Sequence, residues 1–235
     1  MNPRTALTSF LVAAALGANA QSTFNGNGNT GFGGPVGNGN LVVANDGVNI
    51  TFTLNTTAAL GGNDLVLYLD TVAGGFSSTA GFNDAADGGR SAVSGFSGSG
   101  QSVLTFASGF SADYALGIGN GFASLFTLAN GGNNSLTYNT GASQGGASPY
   151  SLTVSLASLG LTAGQSFNLF GTLVSESGYR SSETVAGNDT GTQGWNPYTQ
   201  TSFSTFTTTA VPEPSTVFLS LSGVATFVLL RRRTR

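Results

Sequence analysis

From residue 41 onward, apolar side chains return at every second position, and this period of two is the main structural signal in the chain. Val48, Ile50, Phe52 and Leu54 alternate with Asn49, Thr51 and Thr53, the pattern of a strand with one buried face. Tyr150, Leu152, Val154 and Leu156 alternate in the same way. Leu65-Val66-Leu67-Tyr68-Leu69 is instead continuously apolar, which suits a central strand covered on both faces. Further strands are expected at 103–107, 114–118, 123–128, 136–139, 167–174 and 202–208. Turn-forming clusters such as Gly61-Gly62-Asn63-Asp64 and Asn130-Gly131-Gly132-Asn133 separate them. Only residues 157–160 suggest a helical turn. About ten short strands between turn signals predict an all-β fold, a single antiparallel β-sandwich of jelly-roll or immunoglobulin-like type.

The segments outside this pattern are of different kinds. Residues 21–40 are rich in Gly and Asn and read either as a flexible leader or as a first irregular edge. Residues 199–210 are rich in Thr and read either as a last strand or as a spacer. At the N-terminus, Arg4 precedes an apolar stretch over 6–18, and Ala18-Asn19-Ala20 has the small-x-small form of a cleavage site. Residues 1–20 are therefore expected to be a signal peptide, with the mature chain starting at Gln21.

At the C-terminus, Val211-Pro212-Glu213-Pro214 leads into an uncharged apolar run that ends at Leu230, followed by Arg231-Arg232-Arg233-Thr234-Arg235. Residues 214–230 as a helix would span roughly 25 Å, slightly short of the ~30 Å hydrocarbon core of a bilayer. The four arginines Arg231, Arg232, Arg233 and Arg235 would stay on the cytoplasmic side as a basic stop. This order of polar motif, apolar run and terminal arginines resembles the PEP-CTERM sorting signal of Gram-negative bacteria. The resemblance covers residues 211–235 only. It implies export by the Sec machinery, transient residence in the inner membrane and recognition by an exosortase. The protein would then reach the cell surface or the extracellular matrix, with exopolysaccharide as a potential partner there.

Composition narrows what the body can do. Between residues 21 and 210 there are two arginines, Arg90 and Arg180, against nine carboxylates, a net charge of −7. Nucleic acid is excluded as a partner, because phosphate binding requires clustered Lys and Arg. The chain has no Cys, His or Lys. It therefore cannot build a Ser-His-Asp triad, a Cys-His dyad, a zinc site of the usual ligands or a P-loop. Gly26, Gly28 and Gly31 match the dinucleotide fingerprint in spacing, but no strand is expected before them and no helix after them. The nine acids suggest no pair for glycoside hydrolysis. No cofactor and no catalytic residue is expected, and the chain is read as a non-enzyme.

The body also carries Asn63-Asp64-Leu65-Val66-Leu67-Tyr68-Leu69-Asp70-Thr71, then Gly88-Gly89-Arg90, Ala112-Asp113-Tyr114 and Leu152-Thr153-Val154-Ser155-Leu156 before Leu159-Gly160-Leu161. This order is similar to the DOMON-like and family-9 carbohydrate-binding β-sandwiches, over residues 41–174. The similarity implies a module that binds sugar or a cofactor, although no histidine is available as a haem ligand. Trp195 and Tyr198, with Tyr179 as a third member, form the candidate surface for stacking on a sugar ring. For calcium, Asn83-Asp84-Ala85-Ala86-Asp87-Gly88 is the best loop, but Ala85 stands where a ligating oxygen is wanted, and a solvated turn is the simpler reading. Asp70 is a comparable candidate that could equally serve backbone amides. No metal ligand is assigned. The expected function is that of an exported, non-catalytic surface or matrix protein, with a surface-displayed carbohydrate-binding module as the alternative.

Overall fold

The computed structural model describes residues 19–210, apart from Asn188. The expected signal peptide up to residue 18 and the whole tail from Val211 lie outside the described residues. Among the described residues no helix is long and apolar enough to cross a membrane.

In chain order the elements are β1 (Ala20–Asn25), β2 (Asn40–Asn45), β3 (Asn49–Asn55), β4 (Asn63–Asp70), α1 (Gly88–Ser94), β5 (Leu104–Thr105), β6 (Tyr114–Ile118), β7 (Phe122–Thr127), β8 (Thr137–Ser143) and β9 (Tyr150–Ser155). A 3-10 turn at Leu156–Leu159 follows, then β10 (Ser166–Ser175), β11 (Arg180–Val185), β12 (Tyr198–Thr199) and β13 (Ser204–Thr207). One antiparallel sheet runs β1-β2-β3-β9, and a larger one runs β11-β10-β4-β6-β7-β8. β13 shares the outer edge of β10 with β11, pairing with Ser166–Leu169 while β11 takes Gly171–Val174. β5 and β12 make a short parallel pair. The protein is all-β with packed sheets, as the alternation predicts.

Side-chain parity explains the layering. Along β4, Leu65, Leu67 and Leu69 enter the core shared with Val43, Ile50, Phe52 and Leu54 of the smaller sheet. Val66 and Tyr68 point the other way, into a second core under α1 and the segment that contains Phe82, Leu104, Phe106 and Phe110. That second layer is why β4 is apolar at consecutive positions. The Tyr68 hydroxyl donates to the Val93 carbonyl at 2.7 Å, so its one polar group is satisfied at depth.

Several expectations need correcting. Residues 88–94 are helical: Asp87 caps α1 by accepting from the Arg90 amide at 2.9 Å, and Gly95 closes it at φ 64°. Two glycines at its start concealed this helix. Of the two readings of residues 21–40, the first edge is observed and the flexible leader is not. β1 pairs with β2 from Ala20↔Asn45 to Asn25↔Asn40, leaving an edge strand whose polar sequence reflects one open side. The strand domain therefore starts near residue 20 rather than 41. Ala20, placed in the cleavage motif, is the first residue of β1. Val48 is 64 % exposed at the β2–β3 turn, where the Asp46 carboxylate accepts from the Val48 and Asn49 amides. Of the two readings of residues 199–210, the last strand is the one observed, at Ser204–Thr207.

Arg180 is fully buried, without a carboxylate partner among the described residues. One guanidinium nitrogen donates to the Ser102 carbonyl, while Nε and Nη1 have no partner. Burial pushes its pKa below the ordinary arginine value. An unpaired internal charge costs more than it returns. Arg180→Met is accordingly expected to leave the domain folded and to raise its urea midpoint; a lowered midpoint would show that the arginine contributes stability.

Candidate functional site

Among the described residues, a cleft of about 440 Å³ opens on the face of the larger sheet that also carries α1. That size falls within the roughly 300–1,000 Å³ of small-molecule sites. Five segments supply its walls: Asp64 at the start of β4, Asp87 to Arg90 at the start of α1, the β6–β7 hairpin with Gly117 and 119–122, Ser124 and Phe126 of β7 with Tyr138 of β8, and Glu176 after β10.

Asp64 differs from the other buried carboxylates of the domain. Asp84 accepts from the amides of Ala86, Asn134 and Leu136. Glu183 accepts from those of Phe32, Gly34, Val36 and Gly37. Asp189 accepts from the amides of Thr201 and Ser202 and from the Thr201 hydroxyl. These three hold loops in place, which is the ordinary use of an internal carboxylate. Asp64 is only 5 % exposed and has no hydrogen-bond partner among the described residues, yet its side chain lines the cleft. Burial, and then repulsion from Glu176 and Asp87, push its pKa from 3.8 up to about 7. Room for the carboxylate comes from glycine: a Cβ at Gly119 would lie 2.1 Å from the Asp64 Oδ1.

The cleft's one cation is already engaged. Arg90 pairs with Asp87 and, through Nε at 3.5 Å, with Asp84; the same nitrogen donates to the Leu136 carbonyl at 3.3 Å. Its guanidinium also lies 5.2 Å from the centre of the Phe126 ring. Phe126 meets Tyr138 edge to face at 6.2 Å. Tyr138 and Phe122 are 47 % and 45 % exposed, unusually high for large aromatics. The rim thus presents two open ring surfaces beside a buried carboxylate.

The sequence-predicted aromatic surface is rearranged. Trp195 is 40 % exposed and meets Tyr179 edge to face at 5.4 Å, and Tyr179 stacks on Phe32 at 6.1 Å. Tyr198 does not join them. It is buried in the second core, because β12 pairs with β5 and turns that ring inward. The calcium loop is likewise occupied by other work, with Asp84 holding backbone amides and Asp87 capping α1. Asp70 accepts from the Asn168 side chain across the β4–β10 pair. Among the described residues no three carboxylates group as a metal site would require. The sorting motif Val211 to Pro214, the arginine stop and Ala18 lie outside the described residues.

Asp64, Phe122, Tyr138 and Glu176 were not singled out by sequence. Asp64 reads as the last residue of a turn cluster, and the others are far apart in the chain. The one available signal was an acid directly abutting a fully apolar strand. Comparison of the chain with protein-family models, curated proteins and solved structures finds no match.

Proposed function

We propose that this chain is an exported, non-catalytic protein of the cell surface or extracellular matrix whose β-sandwich domain binds carbohydrate. Its C-terminal motif would hand it to an exosortase after Sec-dependent export and transient residence in the inner membrane. The ordered signals at the two ends support the route. The domain's place among jelly-roll or immunoglobulin-like sandwiches belongs to the same proposal.

The observation that carries the binding reading is the pair of open rings, Tyr138 and Phe122, flanking a polar cleft. Sugar rings have apolar C–H faces that stack on aromatics, and hydroxyl edges that need acceptors such as Asp64 and Asn120. Absence of His, Cys and Lys from the chain removes the nucleophiles and bases built on those residues.

A glycan array probed with the purified full-length protein tests this. Wild type and Trp195→Ala are expected to retain the same glycans, and Tyr138→Ala to lose at least tenfold in affinity. Retention of no glycan by wild type would remove the binding reading. Loss through Trp195→Ala alone would move the site to the row Phe32, Tyr179 and Trp195. For the route, deletion of residues 211–235 is expected to abolish surface display, and unchanged display would refute it.

A further inference from the structure

We propose that the cleft selects sugars bearing a free, protonated amino group, with the ammonium against Asp64 and the C–H face of the ring against Tyr138 and Phe122. This rests on the carbohydrate-binding reading and specifies the ligand class. Three carboxylates, Asp64, Asp87 and Glu176, line the cleft against Arg90 alone. Arg90 is held by Asp84, Asp87 and the Leu136 carbonyl, so it does not compensate Asp64.

Asp64, only 5 % exposed as a residue and given no donor by the described residues, turns its carboxylate toward the cleft, where the neighbouring acids repel its negative charge. An ammonium supplies up to three donors together with the missing positive charge. A neutral hydroxyl supplies one donor and no charge, and a uronic acid adds to the repulsion. A divalent cation favours several carboxylates in one place, and among the described residues no three acidic side chains group as a metal site would require. The exposed rings then decide between a bare amine and an amino sugar, because a small amine leaves both of them in water.

The charge state of the pocket supports the same choice. Asp64 is pushed up to about 7 by burial and by Glu176 and Asp87, and a bound cation would counter that shift through its own charge. The other groups facing it are Arg90 on α1, already paired, and the Tyr138 phenol on β8. Affinity should therefore fall on acidification, since protonated Asp64 must lose its proton before it can pair.

The test is calorimetric titration of the purified full-length protein with glucosamine, N-acetylglucosamine and glucose, as monosaccharides and as β-1,4-linked trimers, and with ethylamine. At pH 7 glucosamine is expected to bind at least tenfold more tightly than either neutral sugar, and roughly fiftyfold more weakly at pH 5 than at pH 7, as the ionised fraction of Asp64 falls. Asp64→Asn, which keeps the side chain's shape, should bring the three sugars within about twofold of one another. Tyr138→Ala should weaken all three sugars alike.

Equal binding of glucosamine and N-acetylglucosamine would overturn the inference and leave carbohydrate binding standing. Binding of none of the sugars would overturn both. Ethylamine binding as tightly as glucosamine would show an ammonium pocket with no use for the rings. A preference abolished by EDTA would assign the site to a metal, and a preference surviving in Asp64→Asn would place the selecting charge elsewhere.

Discussion

Replacing Glu183 with glutamine is expected to destabilise the domain by on the order of 2–6 kcal/mol, about 1–3 kcal/mol for each of two amides left facing a donor. The carboxylate is fully buried, and each of its oxygens serves two backbone amides. Oε1 accepts from Phe32 at 2.7 Å and Gly34 at 3.2 Å, and Oε2 accepts from Val36 and Gly37, both at 2.9 Å. Glutamine would turn an NH₂ group toward one of these pairs, setting donors against donors. Alanine would leave four amides without an acceptor, three of them in buried bonds, at about 1–3 kcal/mol for each buried one.

The loop depends on this anchor because, among its residues, only Val36 enters the main core, with Phe32 packed against it. It is also tightly folded: a Cβ at Gly37 would lie 1.9 Å from the Asn29 carbonyl oxygen. Urea unfolding should show the loss in stability. Amide exchange should show protection disappearing over residues 28–39 first, before the β2–β3 pair is affected. A shift below about 1 kcal/mol would mean that the loop holds itself.

The second large effect has the opposite sign. Asp64→Asn is expected to stabilise the domain at pH 8, by up to about 4 kcal/mol at ~1.36 kcal/mol per pH step of displacement. In the unfolded chain Asp64 titrates near 3.8, and in the folded domain near 7. Between those values the folded state holds a proton that the unfolded state has released, so stability falls as pH rises. Asp64's favourable contribution is complete below pH 3.8 and lost above about pH 7. Asp113, also pushed up by burial, acts in the same direction, while Asp46 at its exposed turn is lowered and acts oppositely. The variant should flatten the fall in the urea midpoint between pH 4 and pH 7. An unchanged slope would mean that Asp64 is ionised at little cost. A site that weakens its own fold in the absence of a ligand agrees with a binding role, since binding energy can offset that cost.

Local pattern carried most of the strand framework. Ile50, Phe52 and Leu54 are buried on one face of β3, and the run from Leu65 to Leu69 is covered on both faces, as alternation and its absence indicate. The helical turn near residues 157–160 is seen at Leu156–Leu159, closed by Gly160 at φ 67°. These features depend on neighbours in sequence, so the chain states them directly. The strands β1 and β11 were missed for the converse reason. Polar residues dominate β1, and its order derives from pairing with β2 and from the loop that Glu183 holds across about 150 positions.

By itself, then, the sequence determined the all-β class, the strand doubly covered by core, and the exclusion of chemistry that needs His, Cys or Lys. Those follow from residue type and spacing alone. Tertiary structure decided which acids serve as loop anchors and which one is left without a donor, and that Tyr138 and Phe122 stay open while Tyr198 is buried. Such roles depend on distances between segments remote in the chain, and a carboxylate's environment is set by whatever folds around it rather than by the residues beside it.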